Sequence, residues 1–233
     1  MFLGAISGGV GLILRPVLIF LGFPAVTVIA SAPVAGLIGE LPGLYVLYKK
    51  KFFRFRESFI LALPVVKGTV LASVFIVFFS SEEVVESILG WVLLAVAVFI
   101  FFTPSFGMHK KKTSPAFWKK PVALFSTAVI SAIGTFTGGV GALYNLLYIW
   151  LFGKTYISSS ALWRSAAYIG LVGSSIVFLF SGLVDFWLFI ALSLGLGLGS
   201  YFGTLFGLME GEQWVRIIIF IGVLLSAISL LLL

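Results

Sequence analysis

The 233-residue chain is expected to fold as an all-α polytopic membrane protein of about eight apolar helical segments, arranged in two homologous halves of four elements each. Three observations lead there. Hydrophobic residues make up 61% of the chain, with a mean hydropathy of +1.22. Only 10% of residues are charged, too few to clothe a water-soluble surface. The tetrapeptide Gly8-Gly9-Val10-Gly11 returns as Gly138-Gly139-Val140-Gly141, each copy inside an apolar stretch. Glycine lets a backbone leave the helical ladder or approach a ligand closely. The first element of each half is therefore expected to be glycine-broken or re-entrant, and paired breaks of this kind point to a transporter's binding site.

The apolar segments lie near residues 2–21, 24–48, 58–79, 84–104, 121–152, 156–181, 185–208 and 213–233. Most reach the ~20 residues that a helix needs to cross a bilayer. The first has no basic leader and carries Arg15 inside it, so it reads as part of the mature fold and not as a cleaved signal. Gly22-Phe23-Pro24 separates it from the second, which ends at the cluster Lys49 to Arg56. Ser80-Ser81-Glu82-Glu83 closes the third, and a polar linker, residues 107–120, follows the fourth. That linker divides a first half, 1–106, from a second, 121–233. Segment 121–152 is too long for one span, since ~32 helical residues reach ~48 Å against a hydrocarbon core of ~30 Å. A break at Gly138-Gly139 resolves this, either as a kink in a tilted helix or as a re-entrant hairpin of two short helices. An offset of 131 then aligns Gly22 with Gly153, Gly39 with Gly170, Phe55 with Phe186, Leu63 with Leu194, Gly68 with Gly199 and Val84 with Val215. Relative to the second half the first lacks about ten leading residues, which a truncation and a misassigned start codon explain equally well.

Ten of the fifteen basic residues form two clusters, Lys49, Lys50, Lys51, Arg54 and Arg56, then Lys110, Lys111, Lys112, Lys119 and Lys120. Both sit between apolar runs. This is positive-inside patterning, which puts loops 49–56 and 109–120 on the cytoplasmic face of the cell membrane, and not a nucleic-acid patch. Re-entrant first elements would insert the halves in opposite orientations and bring Lys154 and Arg216 to that same face; four full spans in each half would make the repeats parallel. Charge slightly favours the inverted arrangement. Without cysteine the chain has no disulfide and no thiolate metal site. The lone His109 lies in a basic loop, so no metal cluster or Ser/His/Asp set can be assembled. Gly153-Lys154-Thr155 resembles the end of a phosphate-binding loop, but Tyr148 stands where such a loop needs glycine. No catalytic residue, metal or cofactor is expected, and the chain is not read as an enzyme.

Four charged residues fall inside apolar segments: Arg15, Glu40, Lys67 and Arg164. Each costs roughly 3 kcal/mol at the bilayer centre on the most lenient scale. Three cations and one anion suit a small anionic solute. Arg15 lies one helical turn after Gly11, and Asn145 one turn after Gly141. The candidate substrate site therefore combines Gly9, Val10, Gly11, Arg15, Gly139, Val140, Gly141, Asn145, Ser160 and Arg164, with backbone N–H groups at the breaks as anion donors. Glu40 and Lys67 are the candidate coupling groups, because a carboxylate in an apolar setting can load and release a proton. Plainer readings stand beside these. Arg15 can snorkel to an interface; Glu40 and Lys67 can form a structural ion pair; Arg164 can satisfy backbone groups; Gly36, Gly39, Gly43, Gly195, Gly197, Gly199 and Gly203 suit close helix packing. The aromatic residues read as mostly lipid-facing or interfacial.

The stretch from Gly8 to Pro16, Leu21-Gly22-Phe23-Pro24 after it, the second glycine copy at Gly138 to Gly141, and Ser181-Gly182-Leu183-Val184-Asp185-Phe186-Trp187 together resemble the sulfite exporter TauE/SafE family over nearly the whole chain. The resemblance implies a cytoplasmic-membrane permease that moves small anions, typically sulfur-containing ones such as sulfite or organosulfonates, often outward. The chain departs from the family pattern at Arg15, where an apolar residue usually precedes the proline, at Asn145, which lacks a following proline, and in its short first helix. The expected function is secondary transport by alternating access with proton coupling; a facilitative anion channel and a non-transporting scaffold are the alternatives. The partners are the solute and the lipid bilayer, and a homodimer is compatible with the pattern.

Overall fold

The computed structural model describes residues 10–52, 55–79, 81–85, 87–88, 90–91, 95 and 117–210. Gly8, Gly9, residues 107–116 of the linker, Arg216 and the final segment 213–233 lie outside the described residues. Eight helices are described: α1 (Val10–Phe20), α2 (Ala25–Gly39), α3 (Leu41–Lys49), α4 (Phe55–Phe79), α5 (Lys119–Thr137), α6 (Gly141–Phe152), α7 (Tyr156–Ser181) and α8 (Phe186–Glu210). Among the described residues five spans are long and apolar enough to cross a membrane, α2 with α3 forming one of them, while α1 and α6 are shorter apolar helices. At 1.5 Å per residue α1 and α6 reach only about 17 Å, half of a hydrocarbon core.

Local chemistry sets the ends. Gly138, Gly153 and Gly182 terminate α5, α6 and α7 in left-handed conformations. Thr155 caps α7 by accepting from the Ser158 N–H, and Asp185 accepts from the Leu188 N–H at the start of α8. Pro42, in the first turn of α3, has no N–H to continue the ladder, so the span from Ala25 to Lys49 is interrupted at Glu40.

The long segment 121–152 is a hairpin and not a kinked rod. Ser131 bonds Tyr144 at 2.6 Å and Thr127 bonds Tyr148 at 3.0 Å, so α6 runs back along α5 with opposite direction. Trp118 and Trp150 meet with ring centroids 6.2 Å apart, which returns the end of α6 to the side where α5 begins. Lys154, just beyond α6, pairs with Glu57 in the first turn of α4, next to the cluster 49–56. Lys154, Lys119 and Lys120 therefore share one end of the bundle with that cluster. The opposite end gathers the start of α2 and the residues after α4, joined where the Val26 N–H donates to Glu82.

Ala25, which starts α2, and Tyr156, which starts α7, are 131 residues apart. The packing is crossed: α4 lies chiefly against α7 and α5, while α8 lies against α2 and α3. Helices in lipid gain little from burying apolar surface, so close approach matters. At Gly68 the α4 backbone meets α5 so tightly that a Cβ would stand 2.1 Å from the Ala128 carbonyl oxygen. Gly39 likewise faces Leu196, in keeping with a packing role, but a Cβ on Gly197 would meet nothing within 4 Å. Gly68→Ala is accordingly expected to cost about 1–3 kcal/mol and lower the melting temperature of the purified protein, whereas Gly197→Ala leaves it unchanged or raises it; equal melting temperatures for the two variants would contradict this packing.

Candidate functional site

Gly11 of the first glycine motif meets Gly138 of the second. A Cβ on Gly11 would lie 2.3 Å from the Gly138 carbonyl oxygen, and one on Gly139 would lie 2.2 Å from Leu12 Cγ. From this contact α1 runs toward the end that holds Gly22 and the start of α2, while α6 runs toward the basic end. Val10 and Gly11 of α1 thus meet the N-terminus of α6. That terminus carries the positive end of a helix dipole, and Val140 at its N-cap offers no side-chain oxygen to the free N–H groups.

Beside the contact is a cavity of about 180 Å³ walled by α1, α2, α4, α5, α6, α7 and α8. Its lining includes Val10, Gly11, Arg15, Gly139, Val140 and Arg164 of the expected substrate site, and Glu40 of the expected coupling pair. It has room for roughly a dozen water molecules, each of which needs about 10–15 Å³ on this measure, or for a small solute. Three lining residues are charged, two arginines against one glutamate, and the balance is one positive charge.

Arg15 is only 3% exposed, so it does not snorkel. One Nη donates to the carbonyl oxygens of Thr135, at 2.6 Å, and Phe136. These are the last carbonyls of α5, left open because the ladder ends with the Gly138 N–H on Gly134. Nε rests against Gly138 and has no hydrogen-bond partner. A helix end offsets a buried cation by at most ~2 kcal/mol, less than the ~3 kcal/mol that even lenient scales charge for its place in the membrane. The remaining field favours an anion in the cavity.

Arg164, 4% exposed, donates to Thr204 Oγ1 at 2.9 Å and to Glu40 Oε2 at 2.8 Å. Pro42 is what leaves Glu40 at a discontinuity within its span, where it bridges α2, α7 and α8 through Arg164. The ion pair expected between Glu40 and Lys67 is not formed, because the two project from different faces: Lys67 stands on the exposed side of α4 with Ile60, Leu63 and Leu71, away from the cavity.

Gly141, Asn145 and Ser160 lie outside the cavity lining. Asn145 is 1% exposed, and neither of its side-chain polar atoms has a partner. Gly9 falls outside the described residues. The sequence reading passed over Trp163 and Tyr144, whose rings stack with centroids 5.6 Å apart and 7° between planes. Both line the cavity, and the Trp163 indole Nε1–H is buried without an acceptor. The two unpartnered buried atoms on lining residues, Arg15 Nε and Trp163 Nε1, are therefore both donors. A signal existed for this wall: Thr127, Ser131 and Thr135 recur every four residues, a hydroxyl stripe on one face of α5 that receives Tyr144 and Tyr148. Among the described residues no cluster of acidic or histidine side chains fit for a metal occurs.

Comparison with known proteins bears on the same chain length. The family described as sulfite exporter TauE/SafE matches residues 1–230. A probable membrane transporter protein, ORF9, of a Sinorhizobium species is 24% identical over 237 residues, covering 99% of this chain and 87% of the relative. A probable membrane transporter protein of Haemophilus influenzae is 23% identical over 221 residues, covering 92% of this chain and 84% of the relative. No solved structure matches the chain.

The buried pair makes a specific claim on stability. Arg164→Ala leaves Glu40 without its cation and is expected to cost about 3 kcal/mol. Adding Glu40→Gln to it restores part of the loss. A double variant no more stable than Arg164→Ala in thermal melts would show that the two side chains are not coupled.

Proposed function

This chain belongs to the sulfite exporter TauE/SafE family of membrane transporters, and from that premise we propose that it is a secondary exporter of small anions, sulfur oxyanions and organosulfonates first among them, coupled to protons through Glu40. The observation that carries the anion reading is the balance of the cavity: one net positive charge, two unpartnered N–H donors on its lining residues, and the N-terminus of α6 at its wall. A metal cation or an amine would meet the wrong sign on every count.

The site works by exchange of partners. Arg164 holds Glu40 in the absence of solute. A solute anion entering the cavity competes for the same guanidinium, and the displaced carboxylate, now unpaired in an apolar wall, takes a proton from the side to which the cavity is open. Arg15 supplies a fixed field and its Nε–H, while the Trp163 indole N–H and the backbone at Val10, Gly11, Gly139 and Val140 supply donors. Asn145 and Ser160 stand behind the wall as support. α1 meets the turn of the α5–α6 hairpin beside the cavity, and rocking one half, 1–106, against the other, 121–233, exposes the cavity to alternate faces of the membrane. The basic end is the cytoplasmic face of the cell membrane.

Proteoliposomes that hold the purified protein test this directly. Sulfite or an alkanesulfonate is expected to flow under an imposed pH gradient at a rate well above protein-free vesicles. Trp163→Phe keeps the ring and removes one donor, so apparent affinity falls about tenfold. Glu40→Gln abolishes the dependence on the pH gradient; a variant whose flux still follows that gradient would eliminate Glu40 as the coupling group, and failure of every small anion to move would remove the transport reading itself.

A further inference from the structure

In transporters built on broken helices, unwound carbonyls and half-helix C-terminal ends are where a coupling cation such as sodium binds. The end of α5 is such a place, and it is occupied by a side chain. The Arg15 guanidinium reaches from α1 to the carbonyl oxygens of Thr135 and Phe136, the carbonyls that the α5 ladder leaves open. It bonds there to neutral oxygens. The ion pairs among the described residues, Lys154 with Glu57 at the basic end and Arg164 with Glu40 at the cavity, do not involve it. A buried arginine without a carboxylate is costly, and here its counter-charge is the negative end of a helix.

The fit is close. Gly138 turns in the left-handed region, φ 69°, and gives its Cα face to the guanidinium, since a Cβ there would stand 2.6 Å from Nε and 2.9 Å from Cζ. Arg15 itself is 3% exposed, and the hairpin contact through Gly11 closes over it. Pro16 follows immediately and fixes the backbone that carries it.

We propose that Arg15 is a tethered cation: it permanently fills the monovalent-cation site at the broken end of α5, so this chain takes no sodium there and retains the charge through the whole transport cycle. The site is latent. Removing the side chain leaves two carbonyl oxygens and the helix end facing an emptied space of guanidinium size, which a free planar cation can enter. The idea goes beyond the anion reading and stands without it, because its test does not depend on transport.

The test is thermal unfolding of the purified full-length protein in detergent, at constant ionic strength, in sodium, choline, guanidinium or methylguanidinium chloride at millimolar concentration. Wild type is expected to melt at the same temperature in all four salts. Arg15→Ala melts lower in choline and recovers in guanidinium saturably, by about 4 °C at tenfold excess over the dissociation constant. Arg15→Lys retains the charge and melts between the two. Guanidinium that fails to raise Arg15→Ala above its melting point in choline overturns the proposal. Should Arg15→Ala not fold, the wild type still decides: saturable stabilisation by sodium over choline means that a cation site is open despite Arg15, and the proposal falls.

Discussion

The backbone contact between Gly11 and Gly138 is the constraint on which the rest of this architecture hangs. A half-length helix such as α6 cannot cross a bilayer, and its end inside one leaves N–H and C=O groups with no water to satisfy them. Val10 and Gly11 of α1 pack on the turn between α5 and α6, and the open carbonyls of α5 find Arg15. A side chain at Gly11 would part α1 from the turn, because its Cβ would meet the Gly138 backbone, while one at Gly138 would first meet the Arg15 guanidinium.

Around that contact the protein maintains an electrostatic imbalance in a medium that punishes it. Each buried cation is compensated by a different device: Arg15 by a helix end, Arg164 by Glu40. In the cycle proposed above the first stays in place and the second is exchanged, as Glu40 sits at a proline interruption and lines the cavity. The hydroxyl pairs Ser131 with Tyr144 and Thr127 with Tyr148 fasten the hairpin in the same spirit, with hydrogen bonds serving where apolar packing gains little against lipid.

Much of the site was legible because its signals are local. Charges inside apolar runs are rare enough to stand out, and Arg15, Glu40 and Arg164 all proved to line one cavity. Lys67 carried the same signal, but its register on α4 turns it outward and Glu40 pairs with Arg164 on another helix. Asn145 was placed by analogy with Arg15, but its helix packs against α7 and buries it behind the wall. Trp163 and Tyr144 escaped notice because aromatic residues are common in membrane helices, and only stacking and an unpartnered indole distinguish these two.

By itself the sequence determined the class of protein, the helical segments among the described residues and the break at Gly138, since composition, length and glycine chemistry are properties of short stretches. It could not choose between a kinked span and a hairpin in 121–152, because both satisfy the same residues and differ only in which distant groups they join. The tertiary structure decided that through Ser131 with Tyr144 and Thr127 with Tyr148. It also decided which charges meet, because pairing depends on the rotation of each helix about its axis. That rotation is set by close contacts such as Gly68 on Ala128 and Gly39 on Leu196, interactions between residues far apart in the chain.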